Sequence, residues 1–239
     1  MKNRRGLAIA GACGLAIVLV GALIGIQQLT GGDTVVAADP SALVNVDVAK
    51  ATLAGIPETK GVLGQHAAPA TIRVYGDLRC PVCKEWDAAE APAVIGGVVK
   101  SGQAKLDLRL WAILGPNSEV AHRAGYAAMQ QNKLWLYSTI VHYNQGDERS
   151  DWFDDAFARS VATAAGLDLK QFDADRKSAA ADQMISINEV DAQALGLTGT
   201  PSIGVAKGDA QATFFSGLPT AADLESAVKS AASGAAGSH

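Results

Sequence analysis

From Leu7 to Ile26 the chain runs for twenty residues without a charge, almost all of them Leu, Ile, Val, Ala or Gly. At about 1.5 Å rise per residue such a run matches a hydrocarbon core of about 30 Å, so it predicts a single membrane-spanning helix. Thr30 to Pro40 loses this character and reads as a linker rich in Gly, Asp and Thr. Val44-Asn45-Val46-Asp47-Val48 then alternates, predicting an extra edge strand or hairpin. Thr71-Ile72-Arg73-Val74 and Lys105-Leu106-Asp107-Leu108-Arg109-Leu110 alternate in the same way, each predicting a strand with one buried face. Between them, Lys84 to Ala91 has helix-forming composition without Gly or Pro. Pro92 breaks or kinks that helix, which resumes over Ala93 to Lys100 and closes at Ser101-Gly102.

From about Ser118 to Leu195 the period becomes helical, with Ala121, Ala124, Ala128 and Gln131 at helical spacing. Leu134-Trp135-Leu136-Tyr137 opens a further apolar run, Ser150-Asp151 offers a helix start, and Ala165-Gly166-Leu167-Asp168 a stop and restart. At this spacing Trp135, Tyr137, Trp152 and Phe153 are read as core or lid packing. Asp147, Glu148, Asp151, Asp154 and Asp155 lack the spacing of a calcium loop and are read as a solvated acidic helix start. Ser202 to Ala206 and Thr213 to Ser216 predict two strands joined across Lys207-Gly208-Asp209. Thr220-Ala221-Ala222-Asp223 then forms a capping box for a last helix that buries Leu224 and Val228.

Composition changes this picture in two places. The basic residues Lys2, Arg4 and Arg5 precede the apolar run, and no acid lies before Asp33. That asymmetry keeps the N-terminus cytoplasmic and sends the rest outside. The run exceeds the length of a cleaved signal core, and the nearest small-residue site, Val36-Ala37-Ala38, lies well beyond it, which favours an uncleaved anchor. Beyond the basic head, 17 basic residues face 24 acidic ones, a balance that excludes nucleic acid as a partner. The organisation read from these features is a head and anchor over 1–28, a linker over 29–42, one domain over 43–232 and a flexible tail over 233–239.

The candidate chemistry lies where the strand ending near Tyr75 meets the helix beginning near Lys84, at Cys80-Pro81-Val82-Cys83. Pro81 suits the first helical position, where an N–H would be unpaired anyway. A helix N-terminus carries about half a positive charge and free N–H groups, so a thiolate at Cys80 is stabilised there, with Arg79 and Lys84 adding positive charge. Cys83, one turn on, can form or resolve a disulfide. Zinc normally takes four N or S ligands. Besides the pair the chain offers only Cys13 and four histidines (His66, His122, His142 and His239) without ligand spacing, so redox chemistry is favoured over metal binding, and no cofactor is expected.

The Gly64–Ile72 segment, the Cys80-Pro81-Val82-Cys83 motif and Gly199-Thr200-Pro201-Ser202, in that order and separation, resemble the DsbA-like branch of the thioredoxin superfamily. The type is the membrane-anchored thiol-disulfide oxidoreductase of Gram-positive bacteria, and the resemblance covers about residues 55–230. It implies an α/β thioredoxin fold with a helical insertion over about 118–197, preceded here by the transmembrane helix. It also implies a cis bond before Pro201, facing the cysteines and leaving the Thr200 backbone free to pair with an extended client strand, with Pro81 and Val82 beside that groove. Clients would be exported proteins with cysteine thiols or disulfides, and a membrane redox partner would reoxidise the pair.

The resemblance departs from the best-known oxidases at two positions. Val82 stands where they carry a histidine and cannot donate a hydrogen bond to the thiolate, which implies a less oxidising couple. Val74 stands where the family carries a buried acid, six residues before the first cysteine. Asp77 is then either a replacement proton handler or a turn residue at the strand end. The direction of exchange remains open between disulfide formation, taken first, and disulfide reduction. A non-catalytic partner-binding module is the third reading.

Overall fold

The computed structural model describes residues 39–233, which fall in one compact unit. The expected anchor, its basic head, most of the linker and residues 234–239 lie outside the described residues. Among the described residues no helix is long and apolar enough to cross a membrane.

Six strands form one sheet in the order β1-β2-β4-β3-β5-β6. They are β1 (Glu58–Thr59), β2 (Val62–Leu63), β3 (Ala70–Gly76), β4 (Ala104–Leu110), β5 (Ser202–Lys207) and β6 (Thr213–Phe214). β3 and β4 run parallel with Ile72 opposite Leu106, whereas β5 runs antiparallel to β3 with Val74 opposite Ile203. The parallel pair needs a crossover. It is made by α2 (Pro81–Ala89), α3 (Ala91–Val94) and a π-helical turn (Ile95–Val99), and it begins at the cysteine motif. α2 stops before Pro92, which takes an opening position of α3, and Gly102 closes the crossover at φ +76°. Both features follow the sequence expectation.

Between β4 and β5 lies the helical insertion: α4 (Pro116–Gln130), α5 (Leu134–Tyr143), α6 (Asp155–Ala164), α7 (Leu169–Asp175) and α8 (Ala179–Ala194). It packs Trp135, Tyr137, Phe153 and Phe172 into the core, and Trp152 stacks edge-on against Phe153 and Phe157. The acidic segment serves local structure. Asp154 caps α6 by accepting from Phe157 N–H, Asp155 pairs with Arg176 and Asp147 with Arg149. The last helix, α9 (Ala221–Ser233), opens on the expected capping box, with reciprocal bonds between Thr220 and Asp223, and buries Leu224 and Val228.

Three expectations need correction. Val44 to Val48 is no strand, because α1 (Val46–Leu53) begins there, after Asn45 at φ +59°. The face that buries is Ala49 with Leu53, at helical spacing, whereas Val44 and Val48 are exposed. Nor do β3 and β4 have one buried face. As the central strands they are covered on both sides, and Lys105 and Asp107 are themselves buried, Lys105 paired with Asp209 and Asp107 bridging Arg73 and Arg109. The start of α6 lies beyond Ser150-Asp151, at the better cap Asp154.

Candidate active site

β3 ends at Gly76, and Asp77 to Arg79 make the turn that delivers Cys80 as the N-cap of α2, its N–H bonded to Asp77 C=O at 2.9 Å. Pro81 occupies the first helical position, as its missing N–H allows. In the dithiol form the Cys80 sulfur accepts the Cys83 N–H at 3.4 Å and donates its own proton to the Thr200 carbonyl at 3.3 Å. Thr200–Pro201 is the cis peptide bond of the described residues. Cys80, Cys83, Thr200, Pro201, Pro81 and Val82 are thus brought to one place.

Accessible area does not separate the two sulfurs, since Cys80 is 5% and Cys83 3% exposed. Their surroundings do separate them. The Cys83 thiol, the Thr200 side chain and the N–H groups of Cys83 and Val82 outweigh burial and bring the Cys80 thiol down to about 6. Burial pushes the Cys83 thiol well up, and a charge on Cys80 or Asp87 pushes it further. The Thr200 hydroxyl oxygen is buried and has no partner while Cys80 is a thiol.

The flanking cations have surroundings of their own. The Arg79 guanidinium turns away from the sulfur to the carbonyls of Leu114, Glu148 and Ser150, tying the motif to the insertion. Lys84 lines a shallow cleft with Pro81, Glu85 and the 145–149 loop. Neither is among the leading causes of the Cys80 shift. The groups that lower the Cys80 thiol are the Cys83 thiol, the Thr200 side chain and the N–H groups of Cys83 and Val82.

Asp77 is fully buried at the turn after β3. Burial would push its carboxyl up, but the His122 ring at 3.4 Å and the N–H groups of Arg79 and Ile113 outweigh it, holding the carboxyl well below the usual carboxylate range. Leu114 N–H and the Ser118 hydroxyl complete its donor set. It stays charged and braces the turn.

Val82, 43% exposed, borders an open groove of about 500 Å³ with Thr200, Pro201, Phe214, Phe215 and Leu218. On the other side of the motif a small cavity is lined by Val74, Cys83, Asp87, Ser138, His142 and Pro201. Asp87 and His142 were not singled out from sequence. The first lies one helical turn past Cys83, a spacing that puts both on one face. The second comes from α5, and no local pattern connects it to the motif. Gln145, also unforeseen, donates to the carbonyls of Leu78 and Cys80 at 3.2 Å each.

A family model described as Thioredoxin matches residues 57–229. A probable disulfide bond formation protein D from Bacillus cereus is 26% identical over 124 residues, which is 50% of this chain and 57% of that relative. The chain thus spans little more than half the length of that curated relative. Among solved structures, a thioredoxin-like oxidoreductase from Silicibacter pomeroyi is 28% identical with a TM-score of 0.60, covering 78% of this chain and 98% of that one. Oxidised BdbD from Bacillus subtilis superposes with a TM-score of 0.65 over 75% of this chain and 97% of its own, at 18% identity. At that identity the likeness concerns the fold alone: a thioredoxin-fold α/β domain with a helical insertion.

Proposed function

The chain belongs to the thioredoxin family, and from that premise we propose that it is an extracytoplasmic thiol-disulfide oxidoreductase that forms disulfides in exported proteins through Cys80 and Cys83. The observation that carries this reading is the opposed acidity of the two sulfurs, Cys80 at about 6 and Cys83 raised by burial. Only a thiolate attacks a disulfide, and a stable thiolate is also a good leaving group.

With the pair oxidised, a client thiolate attacks Cys80 to give a mixed disulfide, and Cys83 leaves with the electron pair. A second client thiol displaces Cys80, leaving an oxidised client and a reduced pair. The groove beside Thr200 and Pro201 suits an extended client segment, which the Thr200 backbone would hold by strand-like bonds. A membrane redox partner would then reoxidise the pair.

Near pH 7 a thiol held at about 6 is roughly nine-tenths ionised. This favours the reduced form by at most about 1.4 kcal/mol, or about 30 mV on a two-electron couple. With Val82 unable to donate, the couple should be oxidising but short of the strongest oxidases. Thiol trapping in glutathione buffers tests this. A potential well above about −200 mV supports disulfide formation, whereas one near −270 mV supports the reductive direction. In the same experiment Cys83→Ala should hold clients as mixed disulfides on Cys80, and Cys80→Ala should hold almost none. Insulin reduction by neither wild type nor any variant would leave only a binding module.

We place the domain outside the membrane on the uncharged run of residues 7–26 and the basic head before it. Edman sequencing of soluble exported protein beginning near Asp39 would overturn the anchor.

A further inference from the structure

The thiol that the exchange reaction leaves behind is buried, and it needs a source of protons. When a client thiolate attacks Cys80, the bond to Cys83 breaks and its electron pair stays on the Cys83 sulfur, 3% exposed and surrounded by core. A bare thiolate there is unfavourable because burial disfavours charge. The strand cannot help, since β3 and β4 present only Val74, Gly76 and Leu108 to the cavity beside Cys83.

The helices present ionisable groups instead. Asp87, on α2 like Cys83, and His142, on α5, line the same cavity, and Asp87 Oδ2 meets His142 Nδ1. His142 Nε2 faces the Asp77 carbonyl at 3.4 Å. Both ring nitrogens therefore face acceptors, a carboxylate and a carbonyl, which is the arrangement of a doubly protonated imidazolium. In the dithiol form burial would lower the His142 ring, but the Asp87 charge outweighs it and the ring is raised above its usual range. The remaining titratable groups around the pair are Cys80 at the N-cap and Tyr143, which is raised by burial and by the Asp87 charge. The free space between these side chains is about 10 Å³, room for one water at most. Asp87 opens the other way, its side chain 11% exposed against 6% for His142.

We propose that Asp87 and His142 are the proton-handling pair of Cys83, standing in for the acid that Val74 replaces. On attack at Cys80, the Cys83 sulfur takes a proton from the His142 imidazolium through one water in the cavity they share. The ring becomes neutral against the Asp87 carboxylate and recovers its proton from solvent on the Asp87 side. In the reverse step the neutral ring accepts the Cys83 proton as that sulfur attacks the mixed disulfide and Cys80 leaves as thiolate. The electron pair stays within the two sulfurs and the client, so no further oxidant or reductant is involved.

This rests on the exchange reading above, and one stopped-flow experiment separates the two. Reduced protein is mixed with 5,5′-dithiobis(2-nitrobenzoate), which releases one chromophore when Cys80 attacks and a second when Cys83 resolves the mixed disulfide. His142→Gln and Asp87→Asn should leave the first phase within about twofold. They should slow the second at least about tenfold near pH 7, with recovery toward wild type near pH 9, where hydroxide replaces the base. The proposal is overturned if the second phase keeps its pH profile in both variants, or is slowed equally at every pH, as a displaced Cys83 would be. Absence of a fast first phase in the wild type would instead sink the exchange reading. Should His142→Gln not fold, Asp87→Asn alone decides.

Discussion

Two buried Asp–His pairs flank the cysteine motif, and they differ in what surrounds them rather than in composition. Asp77 and His122 lie in an enclosed site, both side chains 0% exposed, and the Asp77 carboxylate collects backbone N–H groups and a hydroxyl. His122 Nδ1 faces no partner, and Nε2 also meets the Leu78 N–H at 3.3 Å. Asp87 and His142 lie against a cavity shared with Cys83, and both His142 nitrogens face acceptors. The first pair is a fixed charge locked by donors that have nowhere else to go. The second borders a cavity and is partly open on the Asp87 side, so its ring has a route by which to gain and lose a proton. An acid near a cysteine is therefore assigned by its other neighbours, not by proximity.

The largest expected effect comes from deleting the fixed charge. Asp77→Ala strands the N–H groups of Arg79, Ile113 and Leu114 and the Ser118 hydroxyl, and should cost about 3–5 kcal/mol in urea unfolding. Asp87→Ala removes a partly exposed acid with one main partner and should cost about 1–2 kcal/mol. Equal costs would erase the distinction. So would an Asp77→Asn protein that folds and shows a displaced pH–rate midpoint, since that would make Asp77 the proton handler.

A smaller effect tests the other sulfur. Thr200 has a buried hydroxyl without a partner, and its side chain favours the Cys80 thiolate. Thr200→Val keeps the backbone carbonyl and removes that donor. The Cys80 alkylation midpoint should rise by about one pH unit, equivalent to about 1.4 kcal/mol, the scale of a single hydrogen bond to a charged group. The second chromophore phase should keep its midpoint. An unmoved Cys80 midpoint would leave the helix start as the whole cause.

The sequence made local features legible and left the relations across the fold hidden. Cys80 as a helix cap, Pro81 at the first position, the break at Pro92 and the Thr220–Asp223 box all depend on neighbours within a few residues. The cis bond at Pro201 came from the resemblance alone. Arg79 is next to Cys80 along the chain, and only the fold shows its guanidinium reaching carbonyls of the 148–150 loop. Lys105 and Asp107 looked like an exposed face because alternation does not say how many layers cover a strand. His142 was invisible as a partner of Cys83, since only the packing of α5 on α2 brings them together.

The smallest expected effect separates the two pairs by where on the pH scale each fails, measured on oxidised protein so that neither thiol titrates. Asp77 is depressed in the fold, so its contribution is complete above its unfolded value of 3.8 and is lost as pH falls toward its folded value. His142 is raised, so its contribution is complete below its unfolded value of 6.5 and is lost as pH rises through its folded value. Glu58, raised to about 7 by burial, loses stability in the same direction as His142, so the alkaline limb of wild type alone is ambiguous. The difference between wild type and His142→Gln removes that contribution. It should shrink as pH rises above about 6.5, at a slope of at most about 1.4 kcal/mol per pH unit for one proton. The difference between wild type and Asp77→Asn should instead shrink below about pH 4. If both differences changed over the same pH range, the two pairs would be one electrostatic unit, and the division of labour between brace and proton handler would fail.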